Sequence, residues 1–141
     1  MILYCDTSAL LKLFIAEPGS DQMMALALAS DTLAVNRINW VEAHAALARR
    51  SREQADASSQ FETARQRLAD LWPDFLTLEL TPPLAAQAAR FADVFALRAY
   101  DAVQLASAQA LRTVQADAVV FACFDLRLSR AAATLGLAGI D

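Results

Sequence analysis

The chain has 141 residues, 57% of them hydrophobic, with three glycines and four prolines. That composition excludes a disordered or fibrous polypeptide and fits a single helix-rich domain over residues 1–141. A net charge of −4 gives no general pull toward nucleic acid, so a polyanion would have to be handled through metal ions and local arginines.

The elements follow from residue patterning. Residues 2–5 read as a short buried strand, and Ser8 as the N-cap of an apolar helix over 9–15, broken by Pro18-Gly19. A second helix covers about 20–29 and a second strand 33–35. Helical spacing of Ile38, Val41, Ala45 and Ala48 predicts a third helix from 38 past Arg50. The polar segment 51–58 reads as a hinge before a helix over 59–71, whose apolar stripe is Phe61, Ala64 and Leu68. Phe75–Glu79 alternates as a third strand. Thr81 then caps a helix with Pro82 at its first position, running to about Ala96. A further helix spans Tyr100–Leu111, residues 118–124 form a fourth strand, Asp125 caps a last helix ended by Gly136, and Ile140 falls in a final short strand. Strands alternating with helices predict an α/β protein, a three-layer α/β/α sandwich with a short, mainly parallel sheet.

Cys5 and Cys123 lie in predicted strands without metal-ligand spacing, and read as reduced core thiols of a cytoplasmic protein on neighbouring strands. The amino terminus lacks the basic start of a signal peptide, and no uncharged run approaches the roughly 20 residues that span a bilayer. The one histidine, His44, cannot build a histidine metal site by itself.

Four carboxylates stand where a fold has little structural use for them. Asp6 ends the run Met1-Ile-Leu-Tyr-Cys5, and Asp125 follows Val119-Val-Phe-Ala-Cys-Phe124; Glu42 and Asp101 interrupt Ala- and Leu-rich helical stretches. Each has an ordinary reading. Asp6 could begin an Asx turn, Asp125 could cap a helix, and Glu42 could pair with Arg49 or His44. Asp101 is harder to dismiss, because capping does not explain its small and apolar surroundings. An uncompensated buried carboxylate costs several kcal/mol, and a divalent cation is the simplest shared partner. Oxygen donors suit Mg²⁺ or Mn²⁺. Two acids at strand carboxyl ends also occupy the usual ligand-binding edge of a parallel sheet. For substrate phosphates, Lys12 lies one helical turn after Ser8, Arg98 three residues before Asp101, and Arg127 two after Asp125, although each is also an ordinary solvated cation.

Taken in order, Tyr4-Cys-Asp-Thr-Ser-Ala-Leu-Leu11, Asn39-Trp-Val-Glu-Ala43, Leu97-Arg-Ala-Tyr-Asp-Ala-Val-Gln-Leu-Ala-Ser-Ala108 and Phe124-Asp-Leu-Arg-Leu128 resemble the PIN domain family, and more narrowly the VapC-type toxins of toxin–antitoxin pairs. The resemblance covers nearly the whole chain. It implies a metal-dependent endoribonuclease whose products carry 5′-phosphate and 3′-hydroxyl ends. Asp6, Glu42, Asp101 and Asp125 fall on the family's acidic positions and Ser8 on its frequent hydroxyl position. The chain departs from the pattern at Asn36 and Asn39, where many relatives carry Ser or Thr, and at Gln104, where His is frequent. These departures bear on substrate handling and keep open a second reading, a catalytically weak PIN-like binding module acting through protein contacts. The resemblance also implies a VapB-like antitoxin and an RNA substrate, and the chain is expected to form a homodimer or a larger toxin–antitoxin assembly, with no membrane partner. Leu10, Leu11, Phe14, Met23 and Met24 are candidate docking surface for an antitoxin helix. A haloacid-dehalogenase-like phosphohydrolase is disfavoured, since Asp6-Thr-Ser8 lacks its Asp-x-Asp.

Overall fold

Four parallel strands form the centre of the computed structural model, which describes residues 1–140. They are β1 (Ile2–Cys5), β2 (Thr32–Asn36), β3 (Leu76–Leu78) and β4 (Val119–Ala122), in the order β3-β2-β1-β4. The helices are α1 (Thr7–Leu11), α2 (Ser20–Ala29), α3 (Arg37–Glu53), α4 (Ser58–Leu71), α5 (Pro82–Val94), α6 (Ala99–Val114) and α7 (Leu126–Thr134). The two-residue period of a strand divides the core between the sheet's faces. Ile2 and Tyr4 of β1, Ala34 of β2 and Phe121 of β4 pack with residues of α5, α6 and α7. Leu3 and Cys5, Val35 and Ala122 pack on the other side with residues of α1 to α4. The expected α/β/α layering therefore holds, and every strand pair is parallel.

The strand order positions the site. From β1 the chain moves outward through β2 to β3, then returns to add β4 on β1's opposite side. Connections thus diverge at the carboxyl ends of β1 and β4, where parallel sheets open a crevice. Asp6 directly follows β1, and Asp125 lies three residues beyond β4.

Local chemistry accounts for most element ends. Thr81 Oγ1 accepts from Leu84 N at 3.3 Å, ahead of Pro82 at the first position of α5. The Asp125 carboxylate caps α7, and Gly136, at φ +76°, supplies the left-handed turn after it.

Several expectations are corrected. Asp6, not Ser8, is the N-cap of α1: its Oδ1 accepts from Ala9 N at 2.8 Å, and Ser8 Oγ donates to the same oxygen. The helix covers 7–11 rather than 9–15, because Leu13 N and Phe14 N turn back to Leu10 O and Leu11 O and tighten the chain. Segment 51–58 is no open hinge. Helix α3 continues to Glu53 and a 3₁₀ turn at Ala55–Ala57 leads into α4, which packs back on α3. Near the carboxyl terminus Ala138, not Ile140, bridges to Val120.

Cys5 and Cys123 are free thiols from neighbouring parts of the sheet. Cys123 lies just past β4 and packs on the α5–α7 side, whereas Cys5 packs on the α1–α4 side. Opposite faces of one sheet keep the two sulfurs from pairing. Among the described residues, no helix is long and apolar enough to cross a membrane.

Candidate active site

Asp6, Glu42, Asp101 and Asp125 line one open cleft of 430 Å³, together with Thr7, Ser8, Arg49, Arg50, Arg98, Tyr100 and Gln104. Four elements deliver the acids: the end of β1, the second turn of α3, the first turn of α6 and the cap of α7. The structure thus brings the four acids to the edge of a single cleft.

Their hydrogen bonds leave a consistent remainder. Asp6 Oδ1 accepts from Ala9 N and Ser8 Oγ, both at 2.8 Å. Glu42 Oε1 accepts from Thr7 Oγ1 at 2.8 Å and Gln104 Nε2 at 3.2 Å. Asp125 Oδ1 accepts from Leu128 N at 2.8 Å. Among the described residues Asp6 Oδ2, Glu42 Oε2, Asp125 Oδ2 and both oxygens of Asp101 have no partner. Capping thus does not use up Asp6 or Asp125, since one oxygen of each caps a helix and the other is left without a partner.

Electrostatics agree with crowding of like charge. Burial pushes the Asp6 carboxyl up to about 6, against the lowering effect of Ala9 N–H and Ser8, and the charges of Asp101 and Glu42 add to the rise. Glu42 is raised by burial and by Asp101, with its hydrogen bonds from Thr7 and Gln104 opposing. Asp101 is raised by burial and by Asp125, with Arg98 opposing. The cleft therefore resists full ionisation in the isolated chain.

Could a metal fit? The donors are hard oxygens, each acid keeps at least one free, and the raised carboxyls would be relieved by a cation. Among the described residues, however, no three His, Cys, Asp or Glu side chains are close enough to enclose an ion unaided. That geometry fits a hydrated Mg²⁺-type ion held by few carboxylates with retained waters, and does not fit a closed zinc cage.

A buried polar chain stands behind the cleft. Tyr4 Oη donates to Gln104 Oε1 at 2.6 Å, and Gln104 Nε2 donates to Asn39 Oδ1 at 2.9 Å as well as to Glu42. Asn39 Nδ2 donates to Cys5 O at 2.9 Å, and Asn36 Nδ2 to Ser107 Oγ at 2.9 Å. Asn36, Asn39 and Ser107 are fully buried. Asn36 and Asn39 thus hold β1, α3 and α6 together rather than meet substrate; Gln104 does this and also fixes Glu42.

The remaining expectations divide. Ser8 and Arg98 border the cleft, and Arg127 borders an adjoining groove. Lys12 is elsewhere: its Nζ pairs with Glu17 at 3.1 Å and lies 4.7 Å from the centre of the Phe124 ring. Lys12 is the C-cap of α1, and its contacts with Glu17 and Phe124 engage the ammonium that the one-turn spacing from Ser8 suggests for substrate. His44 Nδ1 meets Trp40 O, and neither His44 nor Arg49 forms an ion pair with Glu42. Of the candidate docking residues, Leu10, Leu11, Phe14 and Met23 are core, because α1 is enclosed between the sheet and α3; only Met24 is exposed. Thr7, Tyr100 and Arg130 escaped the sequence reading. Tyr100 and Thr7 adjoin recognised acids in sequence, which was the available signal.

Comparison with known proteins matches the PIN domain over residues 3–133. Ribonuclease VapC45 of Mycobacterium tuberculosis (strain CDC 1551 / Oshkosh) is 35% identical over 135 residues, covering 96% of this chain and 92% of that protein. In fold, the chain is similar to FitAcB from Neisseria gonorrhoeae, with a TM-score of 0.71 at 19% identity over 100% of this chain and 97% of the other. It is likewise similar to a toxin–antitoxin complex from Klebsiella pneumoniae, with a TM-score of 0.61 at 21% identity over 89% and 87%.

Proposed function

Because this chain belongs to the PIN domain family, we propose that it is a metal-dependent endoribonuclease, the toxin of a type II toxin–antitoxin pair. The observation that carries the reading is the convergence of Asp6, Glu42, Asp101 and Asp125 on one cleft, each with a carboxylate oxygen left over. Its 35%-identical relative is named a ribonuclease, and the cleft lacks a His or Cys nucleophile.

In this reading the four-acid cleft would hold a hydrated Mg²⁺ or Mn²⁺ through a few of its carboxylates, and the ion would supply Lewis acidity toward water and phosphate. Asp6 is held rigid by the first turn of α1, Glu42 by Thr7 and Gln104, and Asp125 by α7. Asp101, free of hydrogen bonds, is the carboxylate able to adjust its position. Such preorganisation is what places a scissile phosphate against a nucleophile. Ser8 and Arg98 border the same space and contact the substrate backbone. The partner is a VapB-like antitoxin, a reading in line with the toxin–antitoxin complex among chains of similar fold; the homodimer is carried by the family resemblance alone.

The test is hydrolysis of a mixed single-stranded and structured RNA pool by the purified chain. Cleavage should require Mg²⁺ or Mn²⁺, leave 5′-phosphate and 3′-hydroxyl ends, and stop in EDTA. Activity undiminished by EDTA overturns the metal assignment, and no cleavage of any RNA favours the binding-module reading.

A further inference from the structure

The cleft is not closed beyond Asp101 and Asp125. These carboxylates also form one side of an adjoining groove of 580 Å³. The rest of its lining includes Arg98, Arg127, Arg130 and Thr134, and Arg98 borders both spaces. Three arginines thus line one groove of a chain whose net charge is −4.

Their charges are not used up by the fold. Among the described residues Lys12 and Arg50 pair with Glu17, Arg37 with Glu79 and Arg65 with Glu62. Arg98, Arg127 and Arg130 form no ion pair within 4.0 Å, and all three are exposed. Arg127 is nonetheless held: its Nη1 donates to Ala96 O at 3.1 Å, and Ala96 has the backbone's one positive φ outside glycine, +52°, among the described residues. Three arginines against two aspartates leave this groove a local positive excess on an acidic protein, concentrated at the end away from the acids where Arg127 and Arg130 stand. Guanidinium forks match phosphate oxygens.

The cleft's opposite flank differs. There a groove of 660 Å³ is lined by Ile38, Val41, Ala45 and Tyr100 as well as Arg49 and Arg52. Val41 is 67% exposed and Tyr100 60%. One flank is the more polar, with three arginines and two aspartates, and the other is a largely apolar shelf that carries Arg49 and Arg52 with Glu42.

We propose that the Arg98–Arg127–Arg130 groove is the phosphodiester track of the RNA on one side of the cleft. Arg98 meets the phosphate nearest the acids, and Arg127 and Arg130 meet those further along. The assignment rests on the ribonuclease reading of the cleft, and it adds Arg130, which no family motif singles out. Contacts of this kind fix register without reading sequence.

The test is binding of a labelled RNA of about 12 nucleotides to the full chain, followed by anisotropy from about 50 to about 300 mM KCl. It is run in EDTA and, with a phosphorothioate oligomer that resists hydrolysis, in Mg²⁺. Arg127→Ala and Arg130→Ala should each lower the slope of log Kd against log salt by about 0.7, the value of one phosphate contact on a single strand. Affinity should fall several-fold for every RNA sequence alike, with melting curves unchanged. Arg130→Lys should keep the slope. Arg52→Ala, on the apolar flank, and Lys12→Ala should leave slope and affinity near wild type. If wild type binds and cleaves RNA but neither Arg127→Ala nor Arg130→Ala moves the slope, or Arg52→Ala alone moves it, the track is wrong and the ribonuclease reading survives. Groove-dependent binding without metal-dependent cleavage leaves the track standing and sinks the ribonuclease reading. No binding by wild type sinks both.

Discussion

Glu17, just past α1, and the four-acid cleft beside it are balanced in opposite ways. Glu17 accepts from Lys12 Nζ at 3.1 Å and Arg50 Nη1 at 2.9 Å, so one acid meets two cations. Burial alone would raise its carboxyl, but the Lys12 and Arg50 contacts outweigh burial and hold it below the usual range. In the neighbouring cleft none of the four acids forms an ion pair among the described residues. Asp6, Glu42 and Asp101 are all pushed upward, burial being the largest cause for each. The first cluster is complete in itself and serves the fold. The second is destabilising in isolation, which is the arrangement of a site that waits for a cation.

The largest expected effect follows from neutralising one acid of the second cluster. Asp101→Asn should lower RNA cleavage by about 10²–10³-fold, the range seen when one transition-state-stabilising group is lost. Because it removes a like charge, the variant should be as stable as wild type in EDTA, or more so. Mg²⁺ should raise the melting temperature of wild type and raise that of the variant less, since an ion bound only by the folded state stabilises by linkage. Asp93→Asn, on exposed α5 surface, should change neither. Marked destabilisation of Asp101→Asn in EDTA, with equal Mg²⁺ responses, would make Asp101 a structural residue and erase the contrast.

The fold was legible because its signals are local. Apolar runs of strand length, Pro82 after Thr81 and capping acids each act within a few residues of themselves, and the structure places all four strands where patterning puts them. The four acids were legible because a carboxylate directly after a buried strand has few cheap structural explanations. What escaped depends on contacts between distant segments. Nothing near Lys12 announces that it bends toward Glu17 and Phe124. Asn36, Asn39 and Gln104 read as departures from a family pattern, yet they form one hydrogen-bonded chain across β2, α3 and α6. Leu10, Leu11 and Phe14 read as available surface because sequence does not reveal that α1 is enclosed on both sides. Arg130 gained meaning only once α7 was set beside the α5–α6 connection.

A smaller effect concerns pH. The Asp6 carboxyl moves from an ordinary value of 3.8 to about 6 on folding, so between those values the folded state holds more protons than the unfolded one. Stability contributed by protonated Asp6 is therefore full below about pH 4 and is lost as pH rises through about 6. The shift corresponds to about 3 kcal/mol. Metal-free wild type should lose stability against urea between about pH 4.5 and 7 relative to Asp6→Asn. Asparagine is a suitable N-cap and cannot titrate, which isolates the ionisation from the capping role. Parallel pH profiles for the two proteins would show that Asp6 ionises freely and that the cleft is not crowded.

The smallest effect returns to Glu17 and tests the balanced cluster. Glu17→Gln keeps the side-chain length and removes the charge, leaving Lys12 and Arg50 facing each other without their shared acceptor. Because the pair is only partly shielded, the loss should be about 1–2 kcal/mol, below the 3–5 kcal/mol of a fully buried pair. Glu42→Gln makes the matched change in the unbalanced cluster. There it removes a like charge beside Asp101, while the new amide oxygen still accepts from Thr7 and Gln104. Urea denaturation in EDTA should therefore show Glu17→Gln destabilised and Glu42→Gln equal to or above wild type. Raising KCl should narrow the gap, since screening weakens both the attraction lost in the first variant and the repulsion relieved in the second. If the two variants lost equal stability, the charge of Glu42 would be compensated within the fold, as that of Glu17 is. Nothing would then distinguish the cleft from an ordinary ion-pair network.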